Sequence, residues 1–266
     1  MSQSREMPKP VNNDSQKTDP EKRAWGPWLW SEVKFFAKLG VFIVAFVTLI
    51  WGHFKIPSES MQPTLEVGDH LYVSKYPYGF SKHSLPYLLH NLPLPEGRVF
   101  SRMPERGDVV VFRNPRSGIV MIKRAVGLPG DQIQVRQGQL YINEALVPRE
   151  KIDGRLYRDH ADKKVVSVNV YTQTLPGSYE EFVIYEKSDK QALDNTPVFI
   201  VPADHLFFMG DNRDNSIDAR DTRRGPGMVH MNYLMGRADR MMFSFKRCNR
   251  DEDLHCPPKG RWMVKL

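Results

Sequence analysis

Beyond an apolar run near its N-terminus, this 266-residue chain reads as mainly antiparallel β, arranged as two sheets or one strongly coiled sheet. Three observations carry that reading. Short β-branched runs recur, bounded by Gly, Pro or Asn: residues 108–113, 120–126, 133–135, 139–142, 165–171, 182–185, 198–201 and 205–209. Hairpin dipeptides separate several of them, with Gln137-Gly138 and Asn143-Glu144 as tight turns and Leu128-Pro129-Gly130-Asp131 as a type II turn whose glycine supplies φ > 0. No long amphipathic helical pattern follows the apolar run.

Taken from the start, residues 1–30 form a polar tail rich in Ser, Asn, Asp, Lys and Pro, with no apolar pattern in its first twenty-odd positions, and are expected to be disordered. Residues 35–51 form the apolar run, and a transmembrane helix is expected over 31–54, close to the ~20 residues that cross ~30 Å of hydrocarbon. Lys38 lies one turn inside and can snorkel, while Trp25, Trp28, Trp30 and Trp51 are placed like an interfacial belt. A cleaved leader does not fit, because the run is too long and no small-x-small site closes it. Lys22, Arg23 and Lys34 precede the run and only Lys55 follows closely, so the N-terminus is expected in the cytoplasm and everything after Lys55 outside. Cys248 and Cys256, the two cysteines, are then read as a disulfide in an oxidising compartment.

Composition excludes other classes. With 41% apolar residues the chain fills a core, and its net charge of +7 is scattered among acids without a basic block, so no nucleic-acid partner is expected. The acidic stretch from Asp211 fails as a calcium loop: Arg213 takes a ligand place, Ser216 the turn glycine's and Thr222 that of the bidentate Glu. Two cysteines and dispersed histidines offer no zinc site, and no cofactor or metal is expected.

The chemistry gathers at Pro57-Ser58-Glu59-Ser60-Met61-Gln62-Pro63, where two prolines hold serines on a stiff loop just past the span. A serine so held is a candidate nucleophile if a base is near. The eight histidines show no acid at a characteristic spacing, whereas Lys123 lies inside the apolar run 120–126. Desolvation there would lower its pKa and make a neutral amine available as general base.

These stretches, with Gly68-Asp69-His70-Leu71-Tyr72-Val73, Arg106-Gly107-Asp108-Val109-Val110-Val111, Lys123-Arg124-Ala125-Val126-Gly127-Leu128-Pro129-Gly130-Asp131 and Gly210-Asp211-Asn212-Arg213-Asp214-Asn215-Ser216, resemble the ordered signature boxes of bacterial type I signal peptidase. The resemblance covers roughly 51–147 and 199–243 and implies a coiled antiparallel catalytic domain split into 55–147 and 199–247; the inserted β subdomain at 148–198 and the tail at 248–266 lie outside it. It further implies a Ser60/Lys123 dyad and an oxyanion hole from the Ser58 hydroxyl and the Ser60 N–H. Ser216 would orient the lysine amine, the pair Asp218/Arg220 would support that loop, and Arg124 is left structural. Ile56, Pro57, Met61, Leu65 and Ile122 match positions lining the pockets for small substrate residues. The implied activity is endoproteolysis of preprotein signal peptides ending in small-x-small, at a bacterial inner membrane, with the bilayer and the secretion channel as further partners.

Two departures stand out. Glu59 replaces the glycine of many relatives and is expected to face solvent, since an inward carboxylate would keep Lys123 protonated. After Arg220 the chain reads Asp221-Thr222-Arg223-Arg224-Gly225-Pro226-Gly227 in place of an aromatic-Gly turn. Residues 76–103, rich in Tyr, Phe, Leu and Pro, are expected either on the outer leaflet or packed on the body. A catalytically silent binder of export substrates and a self-cleaving Ser/Lys regulator are the rival readings, disfavoured by the joint presence of Ser60, Lys123 and Ser216 and by the expected span.

Overall fold

The computed structural model describes residues 25–85, 90–160, 162–178, 180–244, 254–256 and 261–266. Contacts divide the chain into two compact units, residues 1–42 and Ile43–Leu266. Helix α1 (Trp25–Leu49) carries the apolar run, and its large apolar side chains are exposed, Val41 at 71% and Phe42 at 64% among them. Among the described residues no helix is long and apolar enough to cross a membrane. The helix also stops short of the expected limit at 54. Trp51 already pairs with Ser74, so backbone pairing captures residues 51–55 as a strand.

Strands β1 (Trp51–Lys55) and β2 (Asp69–Ser74) flank the loop that bears Ser60. After them come β3 (Phe80–Ser81), β4 (Arg98–Val99), β5 (Val109–Arg113) and β6 (Val120–Gly127). A meander follows: β7 (Gln132–Arg136), β8 (Gln139–Ile142) and β9 (Ala145–Leu146). Its two hairpins turn where the sequence predicts, with positive φ at Gln137 (49°), Gly138 (74°), Asn143 (52°) and Glu144 (66°). The insert is a three-stranded antiparallel sheet of β10 (Arg149–Arg158), β11 (Val165–Thr174) and β12 (Glu181–Glu186). The remaining strands are β13 (Phe199–Ile200), β14 (His205–Met209), β15 (Val229–His230), β16 (Leu234–Ser244) and β17 (Trp262–Lys265).

The principal sheet runs β1-β2-β16-β5-β6-β14-β15, with β17 also on β16, and these strands pair antiparallel. Strand β5 explains why it needs cover on both faces. Val109 and Val111 pack with Ile56, Met61, Leu65 and Leu71, while Val110 and Phe112 pack with Leu206, Phe208 and Leu234. A third cluster joins β7 and β8 to Leu175, Phe182 and Ile184, so the insert shares a core with the meander. The segment 76–103 divides: Tyr78 is buried and bonds to Asp108 at 2.9 Å, whereas Val99 and Phe100 stand exposed. Residues 86–89 of that segment, including the predicted Tyr87-Leu88-Leu89, lie outside the described residues.

The stacked rings of Phe112 and Phe208, 4.4 Å between centroids and fully buried, join β5 to β14. Phe208→Ala should therefore cost about 3–5 kcal/mol of stability. A denaturant titration of the purified chain should show the lowered midpoint at an unchanged slope.

Candidate active site

The loop after β1 folds as successive turns held at its base by Ile56 N–H to Asp69 O (2.9 Å) and Gly68 N–H to Ile56 O (2.8 Å). Met61 and Leu65 are fully buried under it, which fixes Ser60 from below. From the side, the Asn212 N–H donates to Ser60 O (3.2 Å), and Asn212 Nδ2 donates to Glu59 O (3.2 Å). Gly210 makes the approach possible. A Cβ there would lie 2.4 Å from Ser60 O and 2.2 Å from Ser216 Oγ.

Lys123, opposite Val110 in the β5–β6 ladder, places Nζ 2.6 Å from Ser60 Oγ and 2.9 Å from Ile122 O. It is 3% exposed. Burial lowers its pKa to about 8, against the fields of Asp218 and Asp211, which act to raise it. Both carboxylates are already occupied by arginine. Arg124 forks onto Asp211 at 2.8 and 2.6 Å, and Arg220 onto Asp218 at 2.9 and 2.9 Å. Asp211 also accepts from Thr64 Oγ1 (2.5 Å) and Asp218 from the Gly210 N–H (3.0 Å). Asp218 stays below the usual carboxylate range: burial opposes this, but the Arg220 guanidinium and the hydrogen bonds the carboxylate accepts together outweigh it.

Ser60 and Lys123 open onto a cavity of about 620 Å³, which Ser58, Pro57, Ile122, Ser216, Ile217 and Leu193 also line. Ser58 Oγ lies 3.4 Å from Ser60 Oγ. A hydroxyl, a buried amine and a second hydroxyl on one wall can support nucleophilic attack on a carbonyl, proton transfer and stabilisation of the resulting oxyanion. A larger cleft of about 880 Å³ over Arg106, Arg237 and Asp239 contains neither Ser60 nor Lys123.

Several expectations change. Ser216 lines the cavity, but its buried hydroxyl has no hydrogen-bond partner among the described residues and so does not bond to Lys123. Ile56, Met61 and Leu65 do not line the cavity, being 2%, 0% and 0% exposed in the core beneath the loop; Pro57 and Ile122 do line it. Glu59 does not face solvent. It is 7% exposed and accepts from the His160 N–H (2.8 Å) and from Asn215 Nδ2 (3.2 Å). Asp221 organises the departing turn, accepting from the N–H groups of Arg223 and Arg224 and pairing with the Arg224 side chain, which reaches the cavity rim. Residues that sequence reasoning left unassigned include Asn212, Asn215 and the segment at Gln191, Ala192 and Leu193; Asn212 and Asn215 stand inside the recognised Gly210 stretch, whereas 191–193 carry no signal. Cys256 is disulfide-bonded, and its expected partner Cys248 lies outside the described residues. Among the described residues no group of three or more His, Cys, Asp or Glu side chains could hold a metal ion.

Residues 29–243 match the family Signal peptidase, peptidase S26. A protein named signal peptidase I from Rickettsia typhi is 37% identical over 212 residues, 77% of each chain. One of the same name from Rickettsia massiliae is 33% identical over 251 residues, covering 91% of this chain and 87% of its own. The solved structure of a signal peptidase I from Enterococcus faecalis is 26% identical and covers 51% of this chain and 97% of its own, with a TM-score of 0.30. The chain belongs to the signal peptidase family, peptidase S26, and is a peptidase of that family.

The Asp218–Arg220 pair is buried on both sides. Asp218→Asn should destabilise the chain by about 3–5 kcal/mol, because it strands a buried guanidinium, and thermal unfolding will read the loss.

Proposed function

We propose that the chain is a membrane-anchored serine endopeptidase that removes signal peptides from exported preproteins through Ser60 and Lys123. The observation that carries this is the 2.6 Å contact between the Ser60 hydroxyl and a buried lysine whose pKa is lowered to about 8. In its charged form the ammonium donates to Ser60 Oγ. Once neutral, Lys123 Nζ can take the Ser60 proton as Oγ attacks the scissile carbonyl, and then return it to the leaving amine. The Ser58 hydroxyl and the Ser60 N–H would receive the developing oxyanion, and the peptide would remain as an ester on Ser60 until water, activated by the same amine, releases it. Ser216 and the Asp218/Arg220 pair serve this step by holding the wall behind Lys123. Pro57 and Ile122 offer apolar surface beside the reacting atoms, consistent with small side chains flanking the scissile bond.

The anchor is α1, about 37 Å long at 1.5 Å per residue. Its charges, Glu32, Lys34 and Lys38, lie in its first part, within snorkelling reach of an interface, and the stretch from Leu39 to Leu49 has none. Exposed Phe and Val side chains along that stretch need an apolar surrounding, which a bacterial inner membrane supplies, with the N-terminus cytoplasmic and the catalytic part outside. The pairing of Cys256 with Cys248 belongs to the same reading. Substrates then arrive at the membrane's outer side, from the secretion channel.

Cleavage of a preprotein should rise with pH through about 8, since the neutral amine is the active form and its fraction grows as pH increases. Ser60→Ala and Lys123→Arg should both abolish turnover, the latter because guanidinium keeps its proton, and Ser58→Ala should lower kcat by about 10²–10³. Substantial cleavage by a folded Lys123→Arg chain would end the dyad reading. For the topology, protease added to intact spheroplasts should digest everything after Lys55, and a thiol reagent should label neither cysteine before reduction. Protection of the domain would overturn the orientation.

A further inference from the structure

The carboxylate next to the nucleophile is the feature that the mechanism leaves unused. Glu59 is buried beside Ser60, and its two oxygens point to two different segments. Oε1 accepts the backbone N–H of His160, in the turn between β10 and β11; Oε2 accepts Nδ2 of Asn215, which precedes Ser216 on the cavity wall. The turn is built to present that donor. Asp159 N–H bonds to Lys164 O (2.9 Å), Lys163 N–H to Asp159 O (3.1 Å) and Asp162 N–H to Asp159 Oδ1 (3.3 Å), which closes the hairpin end independently of Glu59. Lower on the same hairpin, the buried Tyr157 hydroxyl accepts from Asn212 Nδ2 (3.3 Å) and stacks near Tyr185. The insert therefore meets the catalytic loops through a carboxylate and a phenol rather than through apolar packing alone.

We propose that Glu59 is a positioning residue, docking the end of the β10–β11 hairpin and the Asn215–Ser216 segment onto the Ser60 loop, so that the insert sets the geometry of the nucleophile. The inference rests on the Ser60/Lys123 reading and gives the inserted subdomain a role within it. A carboxylate beside a base invites an electrostatic role instead, but the fields acting on Lys123 are those of Asp218 and Asp211. Glu59 spends its charge on N–H donors, those of His160 and Asn215 among them. What it transmits is position.

The test uses the full chain with Glu59→Gln, Glu59→Gly and Asn215→Ala, each checked for folding by thermal unfolding. Hydrogen exchange at the His160 amide reports docking without reference to activity. Exchange should accelerate most in Glu59→Gly, and kcat for preprotein cleavage should fall by about tenfold to a hundredfold with KM changed by less than about twofold, as expected for lost charge-assisted hydrogen bonds that act on orientation. Glu59→Gln, keeping one acceptor, should fall between. Asn215→Ala should lower kcat while leaving the His160 amide protected, and it carries the test if Glu59→Gly does not fold. The acid limb should stay in place in all three. Unchanged exchange at His160 would remove the docking contact, undiminished kcat with accelerated exchange would remove its link to the nucleophile, and a displaced acid limb would show that Glu59 acts by charge. Cleavage by Ser60→Ala or Lys123→Arg would instead defeat the dyad reading, and would leave the exchange result standing.

Discussion

Burial of one amine against one hydroxyl is the constraint around which the domain is arranged. A lysine 3% exposed is costly in its charged form, and the fall of its pKa to about 8 is the measure of that cost. Two aspartates lie close enough to undo the effect. Each is bound by an arginine fork, which offsets part of the field it exerts on Lys123. Arg124 and Arg220 therefore belong to the environment of the amine without touching it, and the two ion pairs are better understood as neutralised acids than as supports for stability.

The same arrangement accounts for why distant stretches of sequence must fold together. Asp211 receives Arg124 from β6 and Thr64 from the loop after β1, and the adjacent Asn212 holds both Glu59 O and Ser60 O. Asp218, a few residues on, is anchored to Gly210 and Arg220. A single segment thus fastens the Ser60 loop, the Lys123 strand and the cavity wall. Because these contacts are long-range, no local propensity can place Ser60; the sheet has to close first, and the buried stack of Phe112 on Phe208 is part of what closes it.

Sequence reading succeeded where periodicity is undisturbed. In β5 the alternation of Val109 and Val111 against Val110 and Phe112 corresponds to two real cores, and the Gln137-Gly138 and Asn143-Glu144 hairpins turn where predicted, Gly138 and Asn143 supplying the positive φ that such residues tolerate. It missed β16 because register shifts between Leu234 and Gly236, Ala238 and Arg240, and Met241 and Phe243 break the two-residue period. It read little into β10, whose residues are mostly exposed and whose pairing is irregular between Lys151 and Asp153. Ser60 and Lys123 were legible as types in context, and their juxtaposition came from resemblance. The resemblance places Ile56, Met61 and Leu65 at pocket positions, whereas the sequence alone favours core packing, and burial in the core beneath the loop bears out the latter. Glu59 misled for a related reason. Coulombic reasoning about Lys123 ignored donors that only the fold brings to it.

The end of the chain extends this logic. Arg261 donates to Asp69 Oδ2 (3.0 Å) and to Thr64 O (3.1 Å), and Leu266 packs against the cluster containing Ile56, Met61 and Leu65. The Ser60 loop is consequently held by the C-terminal segment at its far end, by Asn212 at its flank and by His160 through Glu59 at its near end. A loop so short cannot make itself rigid with its own few turns. Rigidity here is imported from parts of the chain outside the loop. Holding a side chain to within a fraction of an ångström takes such supports, and the insert and the chain end supply them to the Ser60 loop.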